Sequence, residues 1–436
     1  MLGSNHIVDY SDEDFGVTAM GYVKNDMMNL QERGYDHSDK IVCAGCFGDP
    51  FLKNYIKKHG EYGSCSFCKD SNGKARYKKV MPLEKLMPVI MNVINRDYLD
   101  AHVALPWDSE TKSLLGDTFD PWDFVTDELN QYLECENGKV LLALENILPF
   151  EDRCSRYEFS RRQEEIDLQE WNKFCYLVQT SKLSAEQIVT ECYRKRASHN
   201  LKEIRTTMER IISYLEELNM TERIRPEDTI FRCGTHIGQD FDKKYDIPVI
   251  PATLMGTAPP LLTNHNRMSE KGDMMFYGAF KENVAVVEIG AEKDQILTTA
   301  KFHTNKIFKV LNLSTLNRCS LPSLFDVEQE EKRSAWFFLM EFMRNISMPV
   351  SDFDDKIKEY KPTQVFTKFI QRKTAMAGIV YPSSKFGVTN DQFGVNGERC
   401  VVLFVTNRDC IEEEDTSDLS RKQLIMEPNP VQRVVK

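Results

Sequence analysis

Apolar positions along the chain change their period twice, and those changes divide it. The first 40 residues are polar and acidic apart from MGYVKNDMMNLQERG, a short stretch with helical spacing. Over residues 80–98 apolar side chains recur at helical spacing, with Pro82 tolerable near the start and Pro88 a kink, which predicts one or two short helices. Beyond a loop rich in Asp, Pro and Trp, DFVTDELNQYLE repeats that pattern, as do residues 163–178 and 184–218. The last of these opens with a capping box, SAEQ, and then stays free of Gly and Pro. After NMTERIRPED the helical period gives way to short apolar runs broken by Gly, Pro and Asn. Strands are predicted at 229–233, 274–277, 283–289, 295–302, 306–312, 378–381 and 400–405, with helices at 328–345 and 363–375. The final 30 or so residues are polar and punctuated by proline, and are expected to be a tail.

The implied class is α+β: a mainly helical N-terminal half, then a domain with a mixed or antiparallel sheet. A chain of 436 residues exceeds what one core usually serves, so two or three domains are expected. The boundaries suggested are a polar segment at 1–40, a cysteine module at 41–78, a helical domain at 79–224, the α+β domain at 225–408 and the tail at 409–436. With 41% hydrophobic and 28% charged residues the chain has a globular composition. It opens without the pattern of a signal peptide and has no run of about 18 apolar residues, so a cytoplasmic protein without a membrane partner is expected. A net charge of −11 disfavours broad attraction to nucleic acid, although it leaves room for a local basic patch and for an anionic small substrate.

Four of the twelve cysteines form two CxxC knuckles, Cys43 with Cys46 and Cys65 with Cys68, separated by 18 residues. Each knuckle can direct two thiolates at one ion, and four thiolates complete the tetrahedron of a closed Zn²⁺ site, which would be structural because no position stays open for water. Gly45 and Gly63 ease the tight turns. Ordinary thiols or a redox pair are the alternative. The other eight cysteines show no framework and are expected to be free thiols. Arg194 and His199, in YRKRASHN, have the arginine, four residues, histidine spacing used by HEPN ribonucleases, and a single helix would leave both near one face; a solvated charge run is the alternative.

Five motifs in the C-terminal half together resemble the RES domain. PEDTIFRCGTH carries Arg232; NRMSEKGDMMFYGAF carries Arg267 and Tyr277; ENVAVVEI carries Glu288, preceded by Glu282; AGIVYPSS, after the helix-like EYKPTQVFTKFI, carries Ser383 with Ser384 beside it; CVVLF matches a closing strand. The cysteine-rich upstream half resembles the HEPN-type region found ahead of some RES domains. The resemblance implies a fold like that of ADP-ribosyltransferases and an enzyme that cleaves the nicotinamide–ribose bond of NAD⁺, with phosphate or water as acceptor, acting as a toxin or defence effector. It assigns catalysis to Glu288, Arg267 and Ser383, and NAD⁺ binding to Arg232, Arg267, Tyr277, Ser383 and Ser384. A homo-oligomer and an antitoxin or regulatory partner are expected on the same ground. The alternatives are an ADP-ribosyltransferase acting on a macromolecule, or an RNA-binding or ribonuclease module joined to a domain that only binds nucleotide.

The residue chemistry agrees with the main implication. Arg232 and Arg267 offer planar, permanently charged forks suited to pyrophosphate oxygens. A carboxylate at Glu288 can steady a cationic sugar, and Tyr277 offers a ring face to nicotinamide. Glu288 inside the apolar VAVVEIG is costly to bury unless it is paired or used, and pairing with one of the arginines is the plain structural alternative. Glu270 and Asp273 depart from the family pattern by adding negative charge to the arginine loop, and KFGVTNDQFGVNGER lengthens the link to the last strand.

Overall fold

The computed structural model describes residues 33–434 other than 70–74, 150, 159–160, 237–250, 259, 348–352, 384, 386–387, 390–391, 394–397, 414–421 and 429. These residues form two compact units: the chain up to Arg162 together with Pro322–Glu330, and Gln163–Leu321 together with Glu331–Lys436.

In the first unit β1 (Ile41–Cys43), α1 (Pro50–His59), β2 (Glu61–Lys69) and β3 (Ala75–Pro82) build a small antiparallel sheet of order β1-β3-β2. Helix α1 begins cleanly because Pro50 has no N–H to lose and the Asp49 side chain accepts from the Leu52 N–H. Helix α2 (Leu83–Asp97) is a single helix that runs through Pro88 rather than breaking there. Its buried residues Leu83, Leu86, Met87, Ile90, Met91 and Ile94 recur at three- and four-residue steps, and this stripe anchors the core of the unit. Phe124, Leu129, Val140 and Leu144 complete it, together with Leu324 and Phe325 from the returning segment.

The second unit opens with α3 (Gln163–Thr180), α4 (Ala185–Cys192) and α5 (His199–Glu217). The expected capping box at Ser184 and Gln187 is present. The single helical run expected over 184–218 is instead two helices, since Ser198 caps a new one through the Leu201 N–H. Trp171, Phe174, Ile188, Ile204, Met208 and Ile211 pack in one core with residues of α6 (Glu330–Ser347), of α7 (Phe353–Lys373) and of the large sheet. These three helices therefore belong with the sheet, and the packing boundary falls after Arg162 rather than near residue 225.

The large sheet contains β4 (Thr221–Ile224), β5 (Ile230–His236), β6 (Phe276–Ala279), β7 (Ile296–Thr304), β8 (Phe308–Asn312), β9 (Gly378–Pro382), β10 (Arg399–Leu403), β11 (Cys410–Glu412), β12 (Leu424–Met426) and β13 (Val431–Val434). Its order is β11-β12-β7-β5-β6-β10-β9-β8-β4, with β13 also on β7. Two pairs, β8 with β9 and β11 with β12, are parallel and the rest are antiparallel, so the mixed-sheet α+β class holds. Two expectations are corrected. The supposed tail supplies β11, β12 and β13, whose Cys410, Leu424 and Met426 are buried. The strand expected at 283–289 is a helix, α8 (Glu282–Ile289).

Candidate functional site

Cross-strand register sets up the site. Phe231 on β5, Ala279 on β6, Cys400 on β10 and Tyr381 on β9 stand opposite one another, so their side chains share one face of the sheet. Helix α8 covers this face and buries Val284 and Ala285 against Cys233, Ala279, Leu297 and Cys400. Glu288 lies one helical turn beyond Val284 and Ala285, which brings its carboxylate to the covered side. Ser383 follows β9 two residues after Tyr381, is 1% exposed, and donates its hydroxyl to Glu288 Oε1. Lys385 Nζ donates to the carbonyls of Val287 and Glu288 at 3.0 and 3.1 Å and so closes the open C-terminus of the helix. Gly290 ends it at φ +62°, a left-handed conformation that a side chain disfavours.

The arginine loop approaches the same face. The Tyr277 and Ser269 hydroxyls pair at 2.8 Å, and burial pushes the Tyr277 phenol upward. The Arg267 guanidinium lies 5.4 Å from the centre of the Tyr360 ring, while its carbonyl accepts from Thr363 on α7. Tyr381 joins the two parts: burial raises its phenol well above the usual value, the nearby Cys400, Glu288 and Tyr277 raise it further, and Arg267 opposes them. The Cys400 thiol is also held protonated, by burial first and then by Glu288. Neither Tyr381 nor Cys400 stood out in the sequence, although Tyr381 lies on a predicted strand two positions before Ser383 and so carried a period-2 signal.

Arg232 is not brought to this group. Alternation along β5 places it with Ile230, on the face opposite Phe231 and Cys233. There its guanidinium lies 5.3 Å from the Phe276 ring centre and donates to the Tyr277 carbonyl at 2.6 Å, and burial lowers it to about 10. Ser384 lies outside the described residues.

The added acids of the arginine loop are neutralised within the fold. Glu270 accepts from the Ala185 N–H at the start of α4, and Asp273 pairs with Lys368 at 2.8 Å. In the lengthened link before β10, Val388–Thr389 pairs with Gln392–Phe393 as a short hairpin.

Arg194 and His199 do not converge. Arg194 follows α4 and pairs with Glu191, whereas His199 opens α5 and pairs with Glu203, so the two do not share the single helix expected of them. His199 is among the residues lining a surface cavity of about 280 Å³ with Lys173, Lys202 and Glu203, which holds none of the residues around Glu288.

In the first unit all four cysteines of the two knuckles come together, their Sγ atoms within 4.8 Å of one another. Separations of 3.5 Å for Cys46–Cys65, 3.7 Å for Cys43–Cys46 and for Cys43–Cys68, and 3.8 Å for Cys46–Cys68 match a tetrahedron whose bonds of about 2.3 Å give edges of about 3.8 Å. The donor set therefore fits Zn²⁺ and leaves no fifth position, and none of the four is in a disulfide.

Among the described residues no helix is long and apolar enough to cross a membrane. No curated protein and no solved structure matches the chain. Two family models do: HEPN/RES N-terminal domain 1 over residues 58–187 and the RES domain over residues 235–422. The first match spans the boundary after Arg162, and the second runs past residue 408 through β11, as the packing does. The chain thus has the architecture of a HEPN/RES N-terminal domain followed by a RES domain.

Proposed function

We propose that the RES domain cleaves the nicotinamide–ribose bond of NAD⁺, with phosphate or water as acceptor, and that the protein acts as a toxin or defence effector by depleting NAD⁺. RES domains are associated with NAD-related enzymatic activity, which supplies the substrate class. The observation that carries the finer reading is the Glu288–Ser383 hydrogen bond, made beside Tyr381 on the face that Tyr277 and Arg267 also approach. As the C1′–N bond breaks, its electron pair leaves with nicotinamide and neutralises the pyridinium, while positive charge develops on the ribose. A carboxylate held in place by Ser383 stabilises that charge and accepts a proton from an attacking water; a phosphate dianion brings an oxygen that needs no deprotonation. Arg267 takes a phosphate of the dinucleotide, and the aromatic rings flank the cationic ring. Arg232, by its position, supports the strand that carries Tyr277. Zn²⁺ at the four cysteines stabilises the first unit and takes no part in the chemistry.

Purified protein incubated with NAD⁺ is expected to release nicotinamide. Glu288→Gln, which still accepts from Ser383, should lower kcat by a factor on the order of 10²–10³ without changing the fold. NAD⁺ left intact both with and without phosphate would refute the proposal. Label from ADP-ribose retained on a macromolecule would point instead to a transferase.

A further inference from the structure

Outside the RES domain, the hairpin of β2 and β3 shows an outer face that the proposed reaction does not use. Alternation directs Tyr62 and Ser64 of β2 and Tyr77 and Lys79 of β3 to this face, with Tyr62 opposite Lys79 and Ser64 opposite Tyr77. The two tyrosines are 66% and 74% exposed, far more than rings of this size usually leave open. Their centres are 6.0 Å apart and their planes lie within 18° of parallel. Lys79 braces the arrangement, with Nζ 5.0 Å from the Tyr62 ring centre and donating to the Gly60 carbonyl at 2.9 Å.

The sequence that carries this hairpin is opposite in charge to the chain as a whole. From Lys53 to Lys79 the sequence has eight Lys or Arg against two Asp or Glu, within a chain of net charge −11. Lys78 on the inner side turns to the Cys43 thiol, so it answers the charge of the cysteine cluster, while Lys57, Lys58 and Lys69 are exposed.

From these observations we propose that the outer face of the β2–β3 hairpin binds single-stranded nucleic acid, with bases stacked on Tyr62 and Tyr77 and the neighbouring lysines on the phosphates. Two open, nearly parallel rings suit unpaired bases, whose faces a duplex conceals. The basic module supplies the backbone attraction that the acidic chain as a whole lacks. The cysteine cluster ties β2, through Cys65 and Cys68, to the Cys43–Cys46 knuckle that follows β1.

The test uses the full chain loaded with zinc and fluorescein-labelled oligouridylate and oligothymidylate of about 12 nucleotides, followed by anisotropy at low salt. Both oligomers should bind, and the preference between them separates an RNA from a DNA ligand. Tyr62→Ala with Tyr77→Ala should weaken binding on the order of tenfold per ring while zinc content and circular dichroism stay as in the wild type. Tyr62→Phe with Tyr77→Phe should bind within about twofold of wild type, because stacking needs the ring and not the hydroxyl. The proposal is overturned if the wild type binds neither oligomer, if it prefers duplex, if the alanine pair binds as the wild type does, or if the phenylalanine pair loses as much as the alanine pair.

Discussion

At Tyr381 the Glu288 carboxylate, the Cys400 thiol, the Tyr277 phenol and the Arg267 guanidinium are all felt, but burial does most to keep the hydroxyl protonated. Its folded pKa lies above its unfolded value, so the associated stability is present below about pH 10 and is lost as the pH rises towards the folded value. Tyr381→Phe should therefore flatten the fall in stability above pH 10 by up to about 1.4 kcal/mol per pH unit, read by denaturant unfolding at a series of alkaline pH values. The two arginines separate in the same quantitative way. Arg267→Met is expected to raise the KM for NAD⁺ about tenfold or more, the cost of a charge-assisted contact. Arg232→Met should leave KM within about threefold and lower the melting temperature, since it removes the donor to the Tyr277 carbonyl. Equal effects of both substitutions on KM would return Arg232 to the substrate. Residue chemistry was readable in the motifs, whereas the side of the sheet each residue takes depended on strand register.

Among the elements, α8 shows most clearly how local pattern and tertiary context compete. ENVAVVEI is rich in β-branched residues and reads as a buried strand, yet a helix places Val284, Ala285 and Glu288 on one covered side and leaves Val287 and Ile289 at 40% exposure. A strand would have set Glu288 on the same side as Val284 and Val286 and opposite Ala285. The helix depends on its end: Gly290 is left-handed, and a Cβ added there would meet Lys385 Nζ at 3.0 Å. Gly290→Ala should cost about 1 kcal/mol in thermal or denaturant unfolding and lower kcat by loosening the hold on Glu288. The C-terminal segment misled in the opposite way: each of β11, β12 and β13 has only three or four residues, too few for a pattern to stand out, and pairing with β7 or within the sheet makes them strands.

For the whole molecule, the cysteine cluster and the domain boundary matter most. Zinc bound to these four thiolates would contribute about 10–16 kcal/mol of apparent binding energy, comparable with the full stability of an ordinary domain. Chelation under reducing conditions is expected to remove one zinc per chain and strip hydrogen-exchange protection from β1, β2 and β3, while the large sheet keeps its protection. Retained protection in metal-free protein would mean that the apolar core around α2 suffices. The sequence alone determined the cysteine cluster, because paired knuckles can satisfy one ion almost wherever the chain between them runs, and it determined the RES motifs together with most of their strands. Only the tertiary structure decided that the helices from Gln163 to Glu217 pack with the sheet, that Glu288 is carried on a helix and held by Ser383, and that Arg232 faces away from them. The physical reason is the same for all three: an apolar stripe or a strand parity states that a side chain is to be covered, while the partner that covers it is chosen by contacts between residues far apart in the chain.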